Sequence, residues 1–169
     1  MVDTPHAPLD GSRVRLKPLL SVTGFVDGAW WPRSTDLTAE VPELAAALAE
    51  RIGPVWRVAF PSAAWTVTGT RMVNRGMIIR LEGFRAQDPH IVHVTGSLMR
   101  RLTLLVVPAG TTQVIVERAM SAASDQNDAT RPEALLDGAG LAHPPAENDV
   151  YRWESEGGST AAIAAVSRP

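Results

Sequence analysis

Leu37, Val41, Leu44, Leu48 and Ile52 recur at spacings of 4, 3, 4 and 4 residues, which sets them along one stripe of an α-helix. Asp36 or Thr38 stands where an N-cap is needed, and Gly53-Pro54 supplies the stop. Pro42 is placed in the opening turn, where its missing N–H has no intrahelical partner to lose. Each aliphatic residue on the stripe contributes about 1.5–3 kcal/mol if fully buried, so the helix needs a broad apolar surface to dock on.

That surface is a sheet, because the rest of the chain up to Pro108 reads with period two or as short apolar runs. Arg13 to Lys17 alternates, with Val14 and Leu16 on one face. Phe25 and Val26 lead into Asp27-Gly28, read as a tight turn. Val55 to Phe60 and the short Trp65 to Thr68 are read as strands. Arg71–Val73 and Met77–Phe84 form a hairpin across Asn74-Arg75-Gly76, with Gly83 marking a bulge or a close backbone approach. Ile91–Thr95 pairs with Arg101–Val107 around a Met99-Arg100 corner, and the low polarity of Leu102 to Val107 places that strand centrally. A second helix follows Gly110, capped by Thr111 or Thr112, with Ile115, Ala119, Ala122 and Ala123 on one face. The β-branched run Val114-Ile115-Val116 keeps a final strand over Gln113–Glu117 open. The expected architecture is α+β: a mostly antiparallel, curved sheet of about six or seven strands with one or two helices packed on it.

Composition then sets domain organisation. Residues 1–12 read as a disordered arm, 13–123 as a single globular domain, and 124–169 as an acidic, largely disordered tail with at most a helical turn around Pro132 to Leu136. A cut after Asp125 is therefore expected to leave a folded domain. The net charge of −2 hides an asymmetry: residues 11–109 carry twelve Lys/Arg against seven Asp/Glu, and residues 110–169 carry four against nine. A basic body with an acidic tail reads first as composition drift between a folded body and a solvated tail, and as the alternative a tail that lies on, or competes for, a basic face. No apolar stretch is long enough to span a bilayer and no leader is evident, which points to a cytoplasmic protein without a membrane partner.

Five segments resemble an actinobacterial family of domains of unknown function: RLKP from Arg15, TGFVDGAWWPRSTDL from Thr23, ALAERIGPV from Ala47, LEGFRAQDP from Leu81 and RRLTLLVVP from Arg100. The resemblance covers residues 13–123. It implies no activity.

Candidate chemistry is sparse. With no cysteine there is no disulfide, thiol nucleophile or thiolate metal site. His90 and His93 share an extended stretch at odd separation and face opposite ways, so no metal site is expected, and no glycine spacing matches a phosphate loop or a nucleotide cofactor. Two polar clusters stand out. The first holds Asp27, Trp30, Trp31, Arg33 and Asp36, and the second holds Arg85, Gln87 and Asp88. Adjacent indoles in an extended segment point to opposite sides, leaving one for a core and one for a surface. The arginines are expected to pair with Asp27, Asp36 or Asp88.

The favoured reading is a small non-catalytic binding or regulatory module, with the WWPR segment and the FRAQD loop as recognition surface. The ligand is a small anionic or aromatic molecule or a protein, and a homodimer stays open. One alternative is a small hydrolase or transferase using Asp27 and Asp88. Another is single-stranded nucleic-acid binding by the basic body, against which stands an aromatic content of only 5%.

Overall fold

The computed structural model describes residues 13–19, 21, 24–98 and 100–141. The arm at 1–12, residues 142–169 of the tail, Thr23 and Met99 lie outside the described residues. Seven strands are present: β1 (Val14–Leu16), β2 (Gly28–Trp30), β3 (Val55–Pro61), β4 (Arg71–Asn74), β5 (Met77–Phe84), β6 (Ile91–Gly96) and β7 (Arg101–Val106). They form one open sheet in the order β1-β2-β7-β6-β3-β5-β4. The fold is α+β and the sheet is mixed. β2 runs parallel to β7 and β3 parallel to β5, while the other four neighbouring pairs are antiparallel.

Helix α1 (Leu37–Ile52) lies on one face, and its stripe is the predicted one: Leu37, Val41, Leu44, Leu48 and Ile52 are all buried. They pack on Val58 and Phe60 of β3, Ile79 and Leu81 of β5, Val92 and Val94 of β6, and Leu104 of β7. Asp36 caps the helix by accepting the Ala39 N–H at 3.2 Å, and Gly53 ends it at φ 73°. Pro42 is the sixth helical residue, not one of the opening turn, so the Thr38 carbonyl loses its usual i+4 donor.

The opposite face carries α2 (Gln113–Ala123) and α3 (Pro132–Ala139). Residues 113–117 are helical, and the buried face of α2 is Val116, Ala119, Met120 and Ala123, with Ile115 and Ala122 at its margins. Against the expectation of at most one helical turn beyond residue 123, α3 is a two-turn helix with Pro132, Leu135, Leu136 and Ala139 buried in the same cluster as Val26, Ala29, Leu105 and Val107. The mostly polar residues 124–131 precede the helix, and Pro and Gly within it weaken its local signal, which conceals four inward-facing positions.

Two further expectations are corrected. Asp27-Gly28 is not a tight turn: Gly28 opens β2 opposite Leu16, and residues 17–27 form the connection. Gly28 is required by proximity, because a Cβ there would overlap the Arg15 carbonyl and the Leu16 backbone. Trp65 to Thr68 is not a strand but makes one bridge, Thr66 to Asp36, while Trp65 stacks on Trp30 at 5.2 Å in the α1-side core. Elsewhere the pattern holds. Arg75 (φ 50°) and Gly76 (φ 79°) turn the β4–β5 hairpin, and β6 and β7 are internal strands. At Gly83 it is the close approach that operates: a Cβ would meet the Phe60 ring at 3.1 Å. Among the described residues no helix is long and apolar enough to cross a membrane.

Candidate functional site

The two tryptophans of WWPR leave the sheet on opposite faces. Trp30 is buried under α1, and Trp31 packs at the edge of the α2–α3 cluster with the Arg13 guanidinium 4.4 Å from its ring centroid. Both indole faces that a flat ligand would need are therefore engaged. Arg33 pairs with Glu43 at 2.6 Å and not with Asp27, Asp36 or Asp88. Its backbone N–H and the Ser34 hydroxyl donate to the buried Glu40 carboxylate, so that glutamate pins the segment to α1. Because the Arg33–Glu43 pair is 58% and 50% exposed and screened by water, Arg33→Ala is expected to cost less than about 1 kcal/mol in thermal unfolding. A loss several times larger would show that Arg33 supports more than this pair.

The FRAQD loop is occupied in a similar way. The Gln87 amide donates to the carbonyls of Ala59 and Ile91, tying the ends of β3 and β6 together, and Asp88 accepts the His90 N–H at 2.8 Å. Arg85 is exposed. Asp27 accepts the Thr103 N–H at 2.8 Å beside β7, whereas the His90 carbonyl next to Asp88 meets Val106, three residues further along that strand. The two carboxylates thus sit about 10 Å or more apart along the strand direction, given a rise of about 3.4 Å per residue. Each is committed to a backbone donor.

What the tertiary structure does assemble lies elsewhere. On the α2–α3 side those helices pack on β1, β2 and the upper part of β7, and among the described residues no element covers β3, β5 and β4. The residues that project there stand in register. Arg71 of β4 is opposite Arg80 of β5, Arg80 opposite Arg57 of β3, Arg57 opposite Thr95 of β6, and Thr95 opposite Arg101 of β7. Four arginines and a threonine therefore form one row across five strands, roughly 19 Å from end to end at about 4.8 Å per strand. Like charges directly opposite each other destabilise a sheet, so the row opposes folding stability. Only Arg57 is relieved within it, by Glu82 at 2.5 Å; among the described residues no carboxylate pairs with Arg71, Arg80 or Arg101.

The row ends in a concavity on each side. Beyond the end of β4, Thr70, Arg71, Arg80, Glu82 and Phe84 line a groove of about 480 Å³. At the other end Lys17, Arg51, Arg100 and Arg101 surround a recess of about 290 Å³ with Asp27 on its wall. Lys17 and Arg51 are held in place by backbone carbonyls, Lys17 Nζ donating to Asp128 and Arg51 to Lys17. His93 occupies the next row of the sheet, its Nδ1 2.9 Å from the Thr103 hydroxyl. Burial, then the charges of Arg101 and Arg57, hold its pKa below the ordinary 6.5, and Asp27 offsets them only in part.

Sequence reasoning singled out none of Arg57, Arg71, Arg80 and Arg101. Part of their signal was present: Arg57, Arg80 and Arg101 alternate with aliphatic residues along their strands, whereas Arg71 shares its side of β4 with Val73. Which strands would be neighbours, and in what register, could not be read from alternation.

No curated protein and no solved structure matches the chain. A family model described as "Family of unknown function (DUF5994)" matches residues 13–123, a span that runs from the residue before β1 to the end of α2. That span holds every strand and the whole arginine row, and on this match the chain belongs to the DUF5994 family.

Proposed function

We propose that the chain is a non-catalytic binding module whose recognition surface is the uncovered sheet face, and that its ligand is anionic. The observation that carries this is the in-register row of arginines, of which only Arg57 is paired with a carboxylate among the described residues. A bound polyanion supplies the missing countercharge, so the electrostatic cost in the free protein becomes a gain on binding. The WWPR segment and the FRAQD loop then serve the fold beside this surface: Trp30 fills the core, Glu40 anchors Arg33 and Ser34, and Gln87 links two strands.

Inorganic polyphosphate tests the reading. Titration calorimetry should show binding that weakens as salt rises and that is lost when Arg71 and Arg80 are both changed to Ser. Binding that is absent, or indifferent to those two residues, refutes it.

The pH dependence follows from His93. Around it stand Arg57 on β3, Arg101 and Thr103 on β7, Glu82 on β5 and Asp27 before β2. Its folded pKa lies below the unfolded one, so the unfolded chain binds the extra proton. The associated stability is present above pH 6.5 and declines as pH falls from there through the folded value. A bound anion offsets the charges of the two arginines and favours the imidazolium, so polyphosphate affinity is expected to increase as pH falls below about 6.5. His93→Gln should flatten that increase.

A further inference from the structure

We propose that the anionic ligand of this face is single-stranded nucleic acid, its phosphates following the arginine row across the strands and a base resting on Phe84. This builds on the binding-module reading above and names the ligand class.

Three observations favour it over other polyanions. First, the row runs perpendicular to the strands. A peptide lying along it could not pair with a strand edge and would gain none of the backbone hydrogen bonds by which extended peptides usually dock on sheets. A nucleic-acid backbone needs only cations at intervals.

Second, apolar surface lies beside the guanidiniums on the same face. Arg80, Glu82 and Phe84 alternate along β5, so Phe84 projects to the side of the row, and it is 44% exposed. Val73 and Ile78, paired across β4 and β5, flank the row on its other side at 71% and 58% exposed. Inorganic polyphosphate or a flexible acidic chain has no use for such surface. Unstacked bases do, because they gain by contact with an aromatic face or an arginine plane. A duplex hides its bases and would use the cations alone.

Third, the groove beyond β4 places Arg71, Arg80 and Phe84 around one concavity of about 480 Å³, together with Glu82, whose charge is taken up by Arg57. Beside it β5 continues from Glu82 to Phe84 past its partner β4, and among the described residues no strand pairs with that edge. A short run of nucleotides can there set one base on the ring and a phosphate between two guanidiniums, about 14 Å back along the strand beyond Glu82. From the groove the row leads the chain past Arg57 and Arg101 to the recess formed with Lys17, Arg51 and Arg100.

The test uses the full chain and fluorescence anisotropy with labelled 12-nucleotide oligo-dT and oligo-U, a 12-base-pair duplex, polyphosphate as competitor, and a synthetic peptide of residues 147–156. Four proteins are compared: wild type, Arg71→Ser/Arg80→Ser, Phe84→Ala, and Arg118→Ser as a control for an exposed arginine on α2. Circular dichroism verifies that each is folded.

The single strands should bind wild type and the Arg118 variant alike. Phe84→Ala should weaken them about 5- to 150-fold at unchanged salt dependence, as removal of one stacking contact does. The double arginine variant should lower the slope of log K against log salt by about 1.4, the value for two phosphate contacts to a single strand.

Equal binding of duplex and single strands with no effect of Phe84→Ala would overturn the assignment to single strands. Arginine-dependent binding of polyphosphate, or of the acidic peptide, without binding of oligonucleotides would overturn it while leaving the module reading intact. Failure of every anion would remove both.

Discussion

Ending the chain after Asp125 is expected to lower the stability of the protein by about 3–6 kcal/mol, because it removes Leu135 and Leu136, each worth about 1.5–3 kcal/mol when fully buried. Their side chains complete the cluster in which Val116, Ala119, Met120 and Ala123 of α2 meet Val26, Ala29, Leu105 and Val107. The loop between the helices is tied down as well, since Lys17 donates to the Asp128 carbonyl. Domains of this size are stable by about 5–15 kcal/mol, so the loss is a large fraction of the whole. In a thermal melt followed by circular dichroism it corresponds to a fall of about 10 °C or more. Where the shortened chain does not fold, Leu136→Ala in the full chain reads the same contact, at about 2–5 kcal/mol. An unchanged melting transition in both variants would mean that α3 contributes nothing to the core.

Leu48→Ala should be nearly as damaging, for a different reason. Leu48 lies in the middle of the α1 stripe with none of its surface exposed, enclosed by the helix and the four strands that α1 covers. Truncation there leaves a void that a two-layer contact between a helix and a twisted sheet cannot close by a small shift, and the expected loss is about 2–5 kcal/mol. Urea unfolding should show a lower midpoint at an unchanged slope, the sign of altered stability with the same surface exposed. A change of less than about 1 kcal/mol would show that the site collapses onto the deletion.

Helix α1 and its limits were legible because the information is local. A 3.6-residue period, a capping aspartate and a Gly-Pro stop lie within the segment they organise. The divergence of Trp30 and Trp31 was legible for the same reason, since neighbours on an extended chain point apart whatever surrounds them. The turn reading of Asp27-Gly28 failed because a glycine serves two purposes that look alike in sequence, a positive φ or a missing Cβ. Here the neighbouring Arg15 backbone demands the second. Helix α3 was underestimated because it is only eight residues long, holds Pro and Gly, and follows a polar stretch, so its four inward residues look like part of a tail.

The candidate site was the least legible part. Asp27, Arg33, Gln87 and Asp88 drew attention as clustered polar residues, yet their partners are a strand backbone, a helix glutamate, two carbonyls and a loop N–H. Arg57, Arg71, Arg80 and Arg101, scattered over 45 residues of chain, drew none. The sequence by itself determined that Arg57, Arg80 and Arg101 face away from the more aliphatic side of their strands, because side chains alternate along an extended backbone, whereas Arg71 shares its side of β4 with Val73. Only the tertiary structure decided that they form one row. Strand order and register are set by long-range packing: α1 carries the chain across from β2 to β3, and β6 and β7 later insert between those two strands. Alternation within a strand contains nothing about which strand will lie beside it.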